Sequence, residues 1–252
     1  MKAIILLSAA QDASTGRVLT PRVEAQAIRI AAQLGADMRG LHAGPVPEAI
    51  RPALGHGLTA ARVIAMPQNA DPVAALADAI AAEQPDIVLS GRRSEGASET
   101  GLLPYMLAER LGWPLLPDAA ALTYADGAFV ADQALPKGLR RRIRASGPVI
   151  VTVHPAAPAP LPYAYGQARA GTIDITTPRM EGQPRAAPDV EERPHRPRAR
   201  IMRHTAAGGT AAERLRAATE MAASTGGECL VGPDPDLAAR AILAHLRRIG
   251  AL

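Results

Sequence analysis

Aromatic residues make up only 2% of this 252-residue chain. A core without large rings must be built from Ala, Leu, Ile and Val, which suits a parallel sheet covered by Ala-rich helices. Hydrophobic residues still reach 48%, enough for one large domain or a domain with an arm. Few aromatic stacking platforms and a spread of basic residues argue against nucleic acid, despite a net charge of +4. A single cysteine, Cys229, excludes an internal disulfide, and alone it cannot build a Cys-ligated zinc site or an iron–sulfur cluster. Histidines at 42, 56, 154, 195, 204 and 245 follow no metal-binding spacing, so no metal is expected. Neither a G-x-S-x-G elbow nor a G-x-x-x-x-G-K-[ST] loop occurs, which leaves serine-hydrolase and ATPase chemistry without support. No apolar run approaches a membrane span, and the run at Met1–Leu7 is too short for a signal peptide. The expectation is a soluble, cytoplasmic protein with no membrane insertion.

What the chain does have is concentrated between Pro85 and Pro114. Ile87, Val88 and Leu89 form a short apolar run that opens into Ser90-Gly91. A polar loop follows, with Arg92, Arg93, Ser94, Ser98 and Thr100 between glycines at 91, 96 and 101. Leu102, Leu103, Met106, Leu107 and Leu111 then recur at helical spacing. Strand, glycine-bounded loop and helix place free N–H groups and a helix start where open α/β sheets bind ligands. Such a place favours an anion such as phosphate.

The rest of the first half repeats this alternation. Residues 2–8 read as a strand, and Thr20-Pro21 reads as the N-cap and first turn of a helix. Strands are expected at Met38–His42 and Ala61–Met66, helices at Glu48–Gly55 and Val73–Glu83. The pattern implies right-handed crossovers and a doubly wound sheet. From about residue 119 it changes to short strands at Ala121–Thr123, Phe129–Gln133, Arg140–Arg144 and Val149–Val153, an antiparallel extension with turns at Asp126-Gly127 and Lys137-Gly138. Prolines at 155, 158, 160 and 162 stiffen the next loop. The fold expected is therefore α/β, a doubly wound, mostly parallel sheet of Rossmann-like, adenine-nucleotide α-hydrolase-like kind. Its domains are a nucleotide-binding domain over 1–177, an extended Pro/Arg-rich arm over 178–210, and C-terminal helices over 211–252, with helices at Ala211–Ala223 and Asp236–Ile249.

The loop Gly91–Gly101, with its Thr100-Gly101 end and the following Leu-Gly-Trp-Pro at 111–114, resembles the signature region of electron-transfer flavoprotein β subunits. Leu41-His42-Ala43-Gly44-Pro45, Ala53–Leu58, Pro148–Thr152 and the last helix resemble the family's other landmarks in the same order. The loop departs from the family in length and lacks its acidic run, and Ser8 stands where the family has a lysine. The stretches QALPKGLRRR, PYMLAERLGWP and AYGQARAG are most similar to the branch that accompanies dimethylglycine-type demethylating dehydrogenases.

This resemblance implies a β subunit of a heterodimer that carries electrons from a flavin dehydrogenase toward a quinone reductase and performs no bond chemistry itself. FAD would be shared with, and mostly held by, an α subunit. An AMP or second FAD would lie against Leu6, Ser8, Thr20, Arg22, Ala43, Gly91, Arg92, Arg93, Ser94, Ser98, Thr100 and Gly101. The proline-rich loop would dock the dehydrogenase, with Ala157 at the family's anchor position and Leu161 the nearest large aliphatic residue. The run Arg140–Arg144 fits either a solvated strand or a face turned to an acidic partner or the flavin phosphates. A nucleotide sensor of universal-stress type, without a redox role, is the alternative.

Overall fold

The computed structural model describes residues 1–12, 14–93, 100–178, 210–212, 230–248 and 250. The chain divides into two compact units, Met1–Val190 and Glu191–Leu252. In the first unit the chain order is β1 (Lys2–Leu6), β2 (Ala10–Gln11), β3 (Val18–Leu19), α1 (Arg22–Gln33), β4 (Asp37–Gly44), α2 (Arg51–Leu54), β5 (Ala60–Ala65), α3 (Val73–Glu83), β6 (Ile87–Gly91) and α4 (Leu103–Leu111). It continues with β7 (Leu115–Ala125), β8 (Ala128–Ala134), β9 (Arg140–Ser146), β10 (Val149–Val153), α5 (Tyr165–Ala170) and β11 (Thr172–Thr176).

Nine of these strands form one sheet in the order β11-β5-β4-β1-β6-β10-β7-β8-β9. The pairs from β11 to β7 are parallel, and β7-β8-β9 are antiparallel. This is the doubly wound sheet with an antiparallel extension that the sequence pattern predicts. Apolar runs make its centre: every residue of β6 and of β10 is buried. Burying a Val, Leu or Ile contributes about 1.5–3 kcal/mol each, so these strands anchor the domain. Ile5, Leu89 and Val151 face a cluster with Ala27, Ile28 and Leu54 from α1 and α2. Ile4, Val88 and Ile150 face the other side, with Leu76 and Ile80 of α3 and Leu107 of α4.

Three local readings are corrected. Helix α1 begins at Arg22 with Pro21 in the cap position and no side-chain cap, so Thr20 is not its N-cap. The Thr20 hydroxyl is buried without a partner among the described residues. The segment expected as one helix over 48–55 is a 3-10 turn, Pro47–Ile50, followed by the single turn α2, because Pro52 lacks the N–H that a continuous helix would bond back to Glu48. Strand β7 starts at Leu115, not Ala121, pairing parallel with β10 before it turns antiparallel to β8. Strand β11, which extends the far edge beside β5, had no counterpart in the sequence reading.

Beside the sheet, β2 and β3 form a small hairpin. The Asp12 carboxylate accepts hydrogen bonds from the N–H and hydroxyl groups of Ser14 and Thr15. Those bonds, led by the Ser14 hydroxyl, hold its carboxyl down to about 2. The second unit contains α6 (Pro235–Arg248), which buries no residue. Asp236 sits in its first turn and His245, Arg247 and Arg248 in its last, matching the helix dipole. Of the helix expected over 211–223 only residues 211–212 are described, both helical; residues 213–223 and most of the arm over 178–210 lie outside the described residues.

Candidate functional site

From β1 the chain moves to β4 on one side, and from β5 it returns to β6 on the other. The carboxyl ends of β1 and β6 therefore flank a topological switch point, where such sheets open a crevice. On the β1 side, Ser8 follows the strand and meets the first turn of α1. The Glu24 carboxylate accepts the Ser8 N–H at 3.0 and 3.2 Å and the Ser8 hydroxyl at 2.5 Å. Glu24 is 3% exposed, and it lies on the apolar face of α1. The next contact outward is His42 of β4, whose Nδ1 lies 2.8 Å from the Leu7 carbonyl. Burial pushes the His42 imidazole below its ordinary value of 6.5.

On the β6 side, the strand ends in close packing against α1. A Cβ at Gly91 would lie 2.7 Å from Val23 Cγ2 and 3.3 Å from the Arg93 carbonyl, so a larger residue there would press on α1. Gly101 closes the far end of the loop. It has φ +73°, and a Cβ there would stand 2.8 Å from the Arg92 carbonyl oxygen. The two glycines thus bring both ends of the loop together at a narrow neck. Next to it, the Thr100 hydroxyl accepts the Leu102 N–H at 3.3 Å at the entry to α4.

The two arginines of this neck differ. Arg92 Nε lies 3.1 Å from Asp118 Oδ1. Among the described residues that oxygen has no aligned hydrogen bond, so the contact with Arg92 is one of charge rather than of directed bonding. Asp118 reaches this place through a β-bulge in β7 opposite β10, with φ 52° and its N–H donated to Thr152 Oγ1 at 2.8 Å. Arg93 is exposed and has no ion-pair partner among the described residues.

Residues 21–179 match the model of the electron transfer flavoprotein domain. The chain is also 39% identical over 253 residues to the electron transfer flavoprotein subunit beta of Chromohalobacter salexigens, covering 98% of this chain and 94% of that one. The chain belongs to the electron transfer flavoprotein family, as a β subunit. The sensor alternative has no comparable support. Among the described residues of this β subunit, no helix is long and apolar enough to cross a membrane.

The fold gathers Ser8, Gly91, Arg92, Arg93, Thr100 and Gly101 at the switch point. Leu6 is buried in the α3/α4-side core, so only its backbone is available there. Ala43 is half-buried on β4, and Arg22 is exposed at the start of α1. Ser94 and Ser98 lie outside the described residues. Glu24, His42 and Asp118 were missed by the sequence reading. Glu24 carried a legible signal: it stands three and seven residues before Ala27 and Ala31, which puts an acid on the apolar stripe.

In the proline-rich loop of this flavoprotein subunit, Ala157 is 7% exposed and packs in the α1-side core. Gln26 of α1 donates to the Ala157 carbonyl at 2.7 Å and the Pro155 carbonyl at 3.2 Å, fastening the loop. Leu161 is half-buried and leans toward Gly57, while its carbonyl accepts from His56 Nδ1 at 3.0 Å. Beyond it, Tyr163 and Tyr165 are 50% and 67% exposed. The arginine run forms β9, the exposed edge of the sheet, with Arg142 paired to Asp132 at 2.8 Å and Arg141 to Gln133 at 2.9 Å.

Proposed function

We propose that this β subunit pairs with an electron-transfer flavoprotein α subunit, lines one wall of a shared FAD site, and holds a nucleotide structurally at its switch point. Electrons pass from a flavin dehydrogenase, of the class that demethylates methylated amines, to the shared FAD and on to a quinone reductase, in the cytoplasm. The chain itself does no bond chemistry: it positions a redox cofactor. The arm over 178–210 and the helices over 211–252 embrace the α subunit through an obligate interface of roughly 2,000 Å² or more. That α6 buries no residue of its own supports this.

The observation that carries the nucleotide reading is the glycine-pinched neck at the carboxyl end of β6, with Arg93 beside the entry to α4 and without an ion-pair partner among the described residues. Gly91, Arg93, Thr100 and the loop N–H groups hold the phosphate of AMP, or of a second FAD, and Arg92 anchors the neck through Asp118. Ser8, Thr20, Arg22 and Ala43, with the backbone of Leu6, border the rest of the nucleotide. Of the two positions proposed to dock the dehydrogenase, Leu161 is favoured, because Ala157 turns its side chain into the core.

Dehydrogenase-coupled flavin reduction by the co-expressed heterodimer, followed in stopped flow, tests the transfer step. Losing a buried Leu contact of about 1.5–3 kcal/mol slows reduction by Leu161→Ala roughly ten-fold or more at sub-saturating dehydrogenase, with the flavin spectrum unchanged. An unchanged rate for Leu161→Ala, and for a variant with 156–161 replaced by Gly and Ser, moves the docking site elsewhere.

A further inference from the structure

We infer that His42 accepts, through Nε2, a hydrogen bond from an amino or hydroxyl group on the nucleoside half of the bound nucleotide. This rests on reading the crevice as a nucleotide site. His42 is 6% exposed, yet its Nε2 has no hydrogen-bond partner among the described residues. The other nitrogen fixes what Nε2 can do. Nδ1 faces the Leu7 carbonyl at 2.8 Å, and a carbonyl only accepts, so Nδ1 carries the proton. In the neutral ring Nε2 is then a bare acceptor. Burial favours that neutral ring.

The direction of the ring comes from Gly44, two residues farther along β4 on the same face. A Cβ built at Gly44 would lie 2.5 Å from His42 Nε2. The imidazole therefore lies over the last residue of β4, with Nε2 toward the carboxyl pole of the sheet. At that pole the Leu7 carbonyl adjoins Ser8, Ser8 is bound by Glu24, and Glu24 Cγ is 3.6 Å from the Cβ position of Gly91. These links lead from His42 toward the loop neck.

Charge then orients the nucleotide. The bare Nε2 disfavours an anion on this side, whereas Arg93 and the α4 entry favour one on the other. A group that donates N–H or O–H satisfies Nε2, and a nucleoside offers these on its base and its ribose. Phosphate belongs at the β6–α4 neck, and the nucleoside reaches toward β4.

The test uses the complete heterodimer stripped of bound nucleotide, with calorimetric titration of AMP. It compares AMP with purine riboside 5′-monophosphate, which lacks the 6-amino group, and with 2′-deoxy- and 3′-deoxy-AMP. At least one analogue should bind the wild type ten-fold or more weakly than AMP does. His42→Phe keeps a ring but loses the acceptor. It should bind AMP about ten-fold more weakly and no longer distinguish that analogue; His42→Leu stands in if His42→Phe does not assemble. Equal affinity of the wild type for AMP and all three analogues overturns the role of His42 alone. So does discrimination that survives in His42→Phe or His42→Leu. A wild-type heterodimer that retains FAD but binds no AMP overturns the nucleotide reading beneath it, and the role of His42 with it.

Discussion

Helices α1 and α4 both begin beside the switch point, α1 after β1 and the β2–β3 hairpin and α4 after β6 and its loop, yet they receive their surroundings differently. The start of α1 lies against its own Glu24 carboxylate, which already takes the N–H and hydroxyl of Ser8. The entry to α4 carries Thr100 and a loop neck with two arginines, one matched by Asp118 and one unpaired among the described residues. A helix start is an anion site by dipole alone. Here the sequence fills one with an internal acid and leaves the other basic. Among the described residues, the two helix starts thus differ by a buried acid, Glu24, on one side and two arginines on the other.

The largest expected effect comes from breaking the neck that holds the α4 side in place. Gly101→Ala puts a Cβ against the Arg92 carbonyl at a positive φ. Such strain costs on the order of 1–3 kcal/mol. Urea unfolding should show a loss of that size, and the co-purifying nucleotide should disappear from the mass spectrum. Gly127→Ala, at a positive φ with open space around it, should lose stability but retain nucleotide.

Separating the two arginines sharpens the contrast. A charge-assisted hydrogen bond contributes about 1.5–3 kcal/mol, so Arg93→Ala should lower nucleotide affinity roughly ten-fold or more. Arg92→Ala should have a smaller effect, because its charge is already matched by Asp118. Equal losses for the two single variants, read by calorimetry, would erase the distinction between anchor and ligand.

On the α1 side the expected effect is smallest and depends on pH. The folded His42 value lies below the ordinary 6.5 of the unfolded chain. Above pH 6.5 both states are neutral and His42 contributes fully. As pH falls below that value, the unfolded chain takes up a proton that the buried ring resists, so stability declines. Urea midpoints measured downward from neutral pH should fall in the wild type and fall less in His42→Phe. Identical slopes would remove His42 from the account of acid sensitivity.

The same contrast explains what the sequence discloses. The apolar runs of β1, β6 and β10, and the glycines bounding the loop, are legible because burial and close approach leave compositional marks. Single polar residues inside apolar elements leave fainter ones. Glu24 reads as one acid among many until its place on the apolar stripe is counted, and Gln26 shows no sign that it ties the proline-rich loop. His42 reads as an ordinary core histidine, because only the Leu7 carbonyl and Gly44 give its two nitrogens distinct roles. Asp118 is invisible, since a bulge sets its direction. The family resemblance puts Ala157 at a docking anchor, whereas in the fold it is buried in the α1-side core and its carbonyl is held by Gln26 on a distant helix. Strand β11 escaped notice because five residues, TIDIT, follow a proline-rich loop and a short helix, far in sequence from their partner β5.

The most direct test of the central claim, that this subunit holds a nucleotide at its switch point while sharing a flavin with a partner, is a spectrum and a mass. The chain is purified alone and with its α subunit, and the denatured extract of each is weighed. The complex should be yellow and release both FAD and a nucleoside monophosphate, and the single chain should lack flavin absorbance. A monodisperse, FAD-saturated monomer, or a yellow complex that releases no second nucleotide, would contradict the account.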